Sequence, residues 1–262
     1  MAAIPDLSLI LGPVQVGVAA SSFLSGCLAI QAYVYYSKFT TDSCLFKIFV
    51  AFLVLLETTH LLCIVISQWQ MTLGLPASLI VLPHAGDAVI TLSGLIFFCV
   101  QSFFILRLLK LSKSKYLAVA CLVLCAGFAI SGEVIARNAF AMTSVERFTS
   151  TQYATIVACI TAGVMCDIGV TAGLMYHLFK LRKAEFSRTT RTIDTLMLWT
   201  LETGLIPCVL TLASLTCFLT MGHNCKKIPW TRMMLNYTFI PVIWIGLYEI
   251  LGSTYANACL AA

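Results

Sequence analysis

Charge is scarce in this chain. Only 10% of its 262 residues are Asp, Glu, Lys or Arg, where a soluble domain carries roughly a quarter, and 60% are hydrophobic. That balance excludes an ordinary soluble globular domain. The amino-terminal stretch Met1 to Ile10 lacks the basic region that opens a secretory signal, and the first apolar run is too long for a signal core. It is therefore expected to stay in place as an anchor. The gaps between apolar runs are also short, about 8 to 16 residues, which leaves no room for a second domain.

What the chain has instead is long apolar runs. They place helices at 13–36, 45–68, 84–107, 116–137, 152–177, 194–219 and 234–257. Each is long enough to cross a hydrocarbon core of about 30 Å. Unpaired backbone groups are prohibitive in lipid, so these runs are read as helices; barrel strands would be shorter and would alternate in polarity. The expected fold is all-α: a single integral membrane bundle of seven transmembrane helices over residues 1–262.

Basic residues set its orientation. The gaps after the first, third and fifth runs hold Lys38, Lys47, Arg107, Lys110, Lys113, Lys115, Lys180, Arg182, Lys183, Arg188 and Arg191. The other side has Arg137, Arg147, Lys226, Lys227 and Arg232. Eleven against five makes the first side cytoplasmic, with the amino terminus outside and the carboxyl terminus inside. The net charge of +5 follows from this asymmetry and suits anionic inner-leaflet lipid. It implies membrane lipid as a partner and no nucleic-acid role.

Twelve cysteines suggest a disulfide framework only until they are placed. Cys27, Cys63, Cys99, Cys121, Cys125, Cys159, Cys166, Cys208 and Cys217 fall within spans, as small soft packing residues. Pro207 and Pro241 fall within the sixth and seventh runs, where they free the carbonyls of Thr203 and Tyr237 and kink the helix. Asn236-Tyr-Thr238 has the form of a glycosylation acceptor, but at a membrane entry point. Cys259-Leu-Ala-Ala262 has the form of a prenylation box, from which a seven-span protein gains little.

The few carboxylates lie mostly inside the runs, where each is costly and so a candidate site. Counting 1.5 Å per residue, Glu57 stands about 18 Å from the inner surface, with His60 one turn further on the same face. Asp167 and Glu202 fall at about 12–15 Å and Glu249 at about 10–12 Å. Matched depth on consecutive antiparallel helices suggests that Asp167 and Glu202 share an environment. No lysine or arginine lies at that depth, so the partners are sought in His60, Thr58, Thr59, Thr200, Thr203 and Tyr248. Carboxyls buried without a cation are expected to act as neutral hydrogen-bonding groups between helices, or as the polar floor of a pocket. A second group, His84, Asp87, Glu133 and Arg137, falls near the outer ends of the third and fourth helices.

Several motifs are familiar in combination. Gln101-Ser-Phe-Phe-Ile-Leu-Arg107 is followed by Leu111-Ser112. Asp167 stands in the fifth run, and Thr192-Ile-Asp194 leads to Thr200-Leu-Glu202-Thr-Gly204-Leu205. The chain ends with Tyr255-Ala-Asn257-Ala-Cys-Leu260. Together with Gly12-Pro13 and Tyr33, Tyr35 and Tyr36, they resemble a fungal, chiefly basidiomycete, multipass membrane family known as a domain of unknown function. The resemblance spans nearly the whole chain and implies a seven-helix protein and a fungal membrane, but no activity. Relatives usually carry a few more residues, often Leu-Asn, where this chain stops at Ala262.

Sharper signatures are missing. The seventh run has no lysine for a retinal Schiff base and no Asn-Pro-x-x-Tyr, and Asp-Arg-Tyr does not close the third. No aspartate-rich pair could hold magnesium and diphosphate. Glu57-Thr-Thr-His60 matches half of a di-iron bundle, which needs a second copy, so neither metal nor cofactor is called for. Three functions stay open. The first is a receptor or sensor binding a small apolar ligand over Glu57, His60, Asp167, Glu202 and Glu249. It could meet a cytoplasmic protein at the basic loop 180–191. The second is a membrane enzyme of terpene-cyclase type, with Glu57 as general acid and Glu249 beside it. The third is a proton-coupled carrier, against which the odd helix number and the lack of a repeat count.

Overall fold

The computed structural model of the chain describes residues 7–73, 84–112, 115–141, 145–184, 190–225 and 240–262. Among them are seven helices: α1 (Leu7–Lys38), α2 (Cys44–Leu73), α3 (His84–Leu111), α4 (Tyr116–Ala141), α5 (Val145–Ala184), α6 (Thr190–Cys225) and α7 (Ile240–Ala261). Six of them, α1 to α6, are long and apolar enough to cross a membrane, and the chain is a multipass helical membrane protein. The helices run past the apolar limits expected from hydropathy. α5, with 40 residues, spans about 60 Å, because a helix keeps its own backbone hydrogen bonds after the lipid-facing segment ends. Helix α7 begins at Ile240 among the described residues. Pro241 is the second described residue of this helix, and the carbonyl of Tyr237 lies outside the described residues.

Neighbours in sequence are neighbours in space, and the ring closes where α7 packs on α1. Helix α3 lies inside it, touching α2, α4, α5 and α7, while α7 also touches α2 and α6. All six residues from Leu251 to Ala256 are buried, and six consecutive helical residues face every direction. That stretch of α7 is therefore enclosed on all sides. The largest core cluster joins Leu28, Leu53, Phe97, Phe104, Phe128 and Leu174, with the Phe97 ring against Phe128 at 4.1 Å and edge-on to Tyr255 at 5.1 Å.

Polarity is inverted relative to a soluble protein. The outer faces carry Phe23, Ile30, Leu45, Leu55, Val123 and Ile130, all exposed, while Ser21, Glu57, His60, Ser93, Gln101, Asp167 and Ser253 are buried. Lipid is the natural solvent for the first group, so burying polar side chains is the only way to shield them from it. The eleven cysteines whose side chains are described are free.

Candidate functional site

Three niches hold the buried acids. In the first, Glu57 and His60 sit one turn apart on the inward face of α2, both fully buried. Ser253 of α7 donates to Glu57 Oε1. On the other side, His60 Nε2 lies 2.8 Å from the Ser93 hydroxyl of α3. His60 Nδ1 and Glu57 Oε2 face each other at 3.6 Å, and neither atom has a hydrogen bond among the described residues. Room for the imidazole comes from Gly252, where a β-carbon would stand 2.8 Å from His60 Cε1 and 3.1 Å from Nδ1.

The second niche surrounds Asp167 of α5, which is also buried. Gln101 of α3 donates to its Oδ1, and the Tyr255 hydroxyl of α7 donates to Oδ2 at 2.5 Å. Tyr255 Oη is also 3.2 Å from the Thr211 hydroxyl of α6, which in turn donates to the Pro207 carbonyl at 2.8 Å. Four helices thus meet on one carboxyl and one phenol.

Glu249 occupies the third niche, at the seam of α1 and α7. Its backbone carbonyl accepts a hydrogen bond from Ser21 at 3.1 Å, and its Oε2 has no partner among the described residues. Two glycines let the helices approach. A β-carbon on Gly17 would stand 2.7 Å from Glu249 Oε2 and 2.8 Å from the Gly246 carbonyl, and one on Gly246 would strike the Pro13 carbonyl.

The side chain of Glu202, and with it the expected pairing with Asp167, lies outside the described residues; the Asp167 partners among them include Gln101 and Tyr255. Thr58 and Thr59, also expected to serve the acids, instead donate to the carbonyls of Val54 and Leu55 in their own helix and are exposed. A mid-helix threonine satisfies itself this way without reaching a neighbour. In the outer group Asp87 is buried, whereas Glu133 and Arg137 face outwards, and the His84 side chain lies outside the described residues. Cys259 is buried in α7, while Asn236 lies outside the described residues. Among the described residues no three His, Cys, Asp or Glu side chains converge as a metal site would require.

Two small cavities flank Tyr255. One, of about 20 Å³, lies beside Asp167 and is lined by Gln101, Thr200, Thr203 and Pro207 among others. The other, also about 20 Å³, is bounded by Ser93, Thr211, Ser214, Tyr248 and Gly252. The first has the volume and polar lining to hold a single water molecule; the second is as small, but its wall is chiefly apolar, with Phe97, Phe128, Ile160 and Leu251. Ser93, Gln101, Ser253 and Tyr255, which complete the first two niches, were not among the expected site residues. A hydroxyl or amide in an apolar run carries little cost, so only the motif Gln101 to Arg107 and the ending from Tyr255 hinted at two of them.

The comparisons bear on the second and third niches. Residues 163–262 match the model of the Family of unknown function (DUF6534). The matched stretch holds Asp167, Tyr255 and Glu249, while Glu57, His60, Ser93 and Gln101 precede it. No curated protein and no solved structure matches the chain.

Proposed function

We propose that this protein is a receptor or sensor of seven spans, with α7 as the seventh, the amino terminus outside and the carboxyl terminus in the cytoplasm. Its ligand is a small, largely apolar molecule with one polar group, taken up from the bilayer. The observation that carries this reading is the enclosed stretch of α7, whose hydroxyls hold an acid of α2 and an acid of α5 at once. A ligand group that displaces Ser253 or Tyr255 from its carboxyl alters the α7 contacts with both helices. Such a differential contact is what a ligand needs in order to shift a conformational equilibrium. Because the spaces beside these hydroxyls are water-sized, the ligand binds a state in which α7 has moved away from α3 or α6. The basic loop 180–191 then meets an acidic cytoplasmic partner. Its base is pinned by the ion pair of Arg182 with Asp194 at 2.7 Å, which joins α5 to α6.

The test is to purify the protein, identify co-purifying small molecules by mass spectrometry, and add them back during thermal unfolding. The expected result is a rise in unfolding temperature that grows with ligand concentration and is lost in Tyr255→Phe. In intact cells, a cysteine placed at Ser187 should resist membrane-impermeant labelling, as a cytoplasmic loop requires. Labelling from outside, or an unfolding temperature indifferent to every co-purified molecule, refutes the reading.

A further inference from the structure

Within the first niche, three side chains from two helices line up in a recognisable chemical order: hydroxyl, imidazole, carboxyl. The Ser93 hydroxyl is 2.8 Å from His60 Nε2, and the opposite ring nitrogen, Nδ1, faces Glu57 Oε2 at 3.6 Å. The other carboxyl oxygen is held by Ser253, which fixes the carboxyl plane, and Gly252 leaves the ring its space. If the Ser93 hydroxyl donates to Nε2, the ring proton sits on Nδ1, which faces Glu57 Oε2 at 3.6 Å without a hydrogen bond to it. This is the tautomer and orientation in which a histidine serves as general base to a serine. Catalytic contacts are often this long before substrate binds, and catalysis here requires the 3.6 Å separation to shorten in the complex.

We propose that Ser93, His60 and Glu57 form a nucleophile, a general base and its positioning carboxylate, and that the bundle hydrolyses carboxylic esters of apolar acyl chains. The site lies between apolar helices, so its substrate class is a lipid-soluble ester rather than a peptide or sugar. Ser93 Oγ adds to the ester carbonyl carbon while its proton passes to His60 Nε2. The bond from that carbon to the alcohol oxygen breaks, and the leaving alcohol takes the proton from His60. Water then adds to the acyl-Ser93 carbonyl, gives a proton to His60 and releases the carboxylic acid, and that proton returns to Ser93 Oγ. The small cavity beside Ser93, walled by Tyr248 and by apolar groups such as Phe97, Phe128 and Leu251, is the space this water would have to enter.

Backbone N–H groups in the middle of α3 are committed to the helix, so charge on the carbonyl oxygen must be met by a side chain. That role is assigned to the Tyr248 hydroxyl, which lines the same cavity as Ser93. Access for the acyl group requires α3 and α7 to part, the same movement the sensor reading uses, but the chemistry does not depend on any signalling.

The experiment treats the full chain, in membranes, with an alkyl fluorophosphonate bearing a fluorophore, and maps the adduct by peptide mass. The expected result is covalent labelling of Ser93 in the unaltered protein, which needs no variant to interpret. Labelling should vanish in Ser93→Ala and slow by at least about a hundredfold in His60→Gln. Glu57→Gln should slow it and Glu57→Asp should recover part of the rate, which a purely structural carboxyl would not do. A folded protein that takes up no probe at millimolar concentration overturns the proposal, as does labelling that persists in Ser93→Ala. A ligand that raises the unfolding temperature of a protein inert to the probe would leave the sensor reading standing and remove this one.

Discussion

Glu57 and Glu249 are both buried carboxyls on helices that touch, yet their surroundings are of opposite kinds. Around Glu57 the facing helix offers a donor, Ser253, on one oxygen, while the imidazole of His60, from the same helix as Glu57, stands near the other. Around Glu249 the facing helix offers glycine and backbone, and Oε2 has no partner among the described residues. Burial alone therefore does not reveal which acids are wired into a network. What decides is whether the opposite helix presents a hydroxyl or a small residue at that height. A small residue brings the helices together but leaves the carboxyl enclosed rather than bonded.

The glycine seam should be the easiest part of this contrast to break. Gly246→Val places a branched side chain against the Pro13 carbonyl of α1, and neither backbone can yield cheaply. The expected loss is about 3 kcal/mol or more, read as a lower unfolding temperature in detergent and a loss of monodisperse protein. An unchanged melt would show that α1 does not seat on α7 through this contact.

A double-mutant cycle on Asp167→Asn and Tyr255→Phe probes the wired kind of site. The two groups share a hydrogen bond of 2.5 Å, so their effects should be non-additive by about 1 kcal/mol, the scale of interhelical hydrogen bonds in membranes. Strict additivity would mean that Tyr255 does not hold the acid.

The smallest effect should come from Glu249→Gln. With no hydrogen bond to lose at Oε2, the expected change in stability is below about 0.5 kcal/mol in either direction. A large loss would reveal a partner for Glu249 and erase the distinction from Glu57.

Much of the fold was legible beforehand. The apolar runs marked the seven helices seen among the described residues, six of them long and apolar enough to cross a membrane, because that length is a property of composition and needs no knowledge of neighbours. Glu57, His60, Asp167 and Glu249 could be picked out for a similar reason, since an ionisable group in an apolar run is conspicuous wherever it points. Ser93, Gln101, Ser253 and Tyr255 could not. Their significance arises from the height and rotation at which α3 and α7 meet α2 and α5. A single-residue rotation of about 100° would send each of them elsewhere.

By itself, then, the sequence determined a multipass helical bundle with acids in its interior, because hydrophobic length and the cost of buried charge act locally along the chain. Only the tertiary structure decided that α7 is enclosed, that Asp167 turns to Tyr255, and that Ser93, His60 and Glu57 stand in line. These outcomes depend on which helix faces meet, and that is set by glycine seams and interdigitating side chains far apart in the sequence.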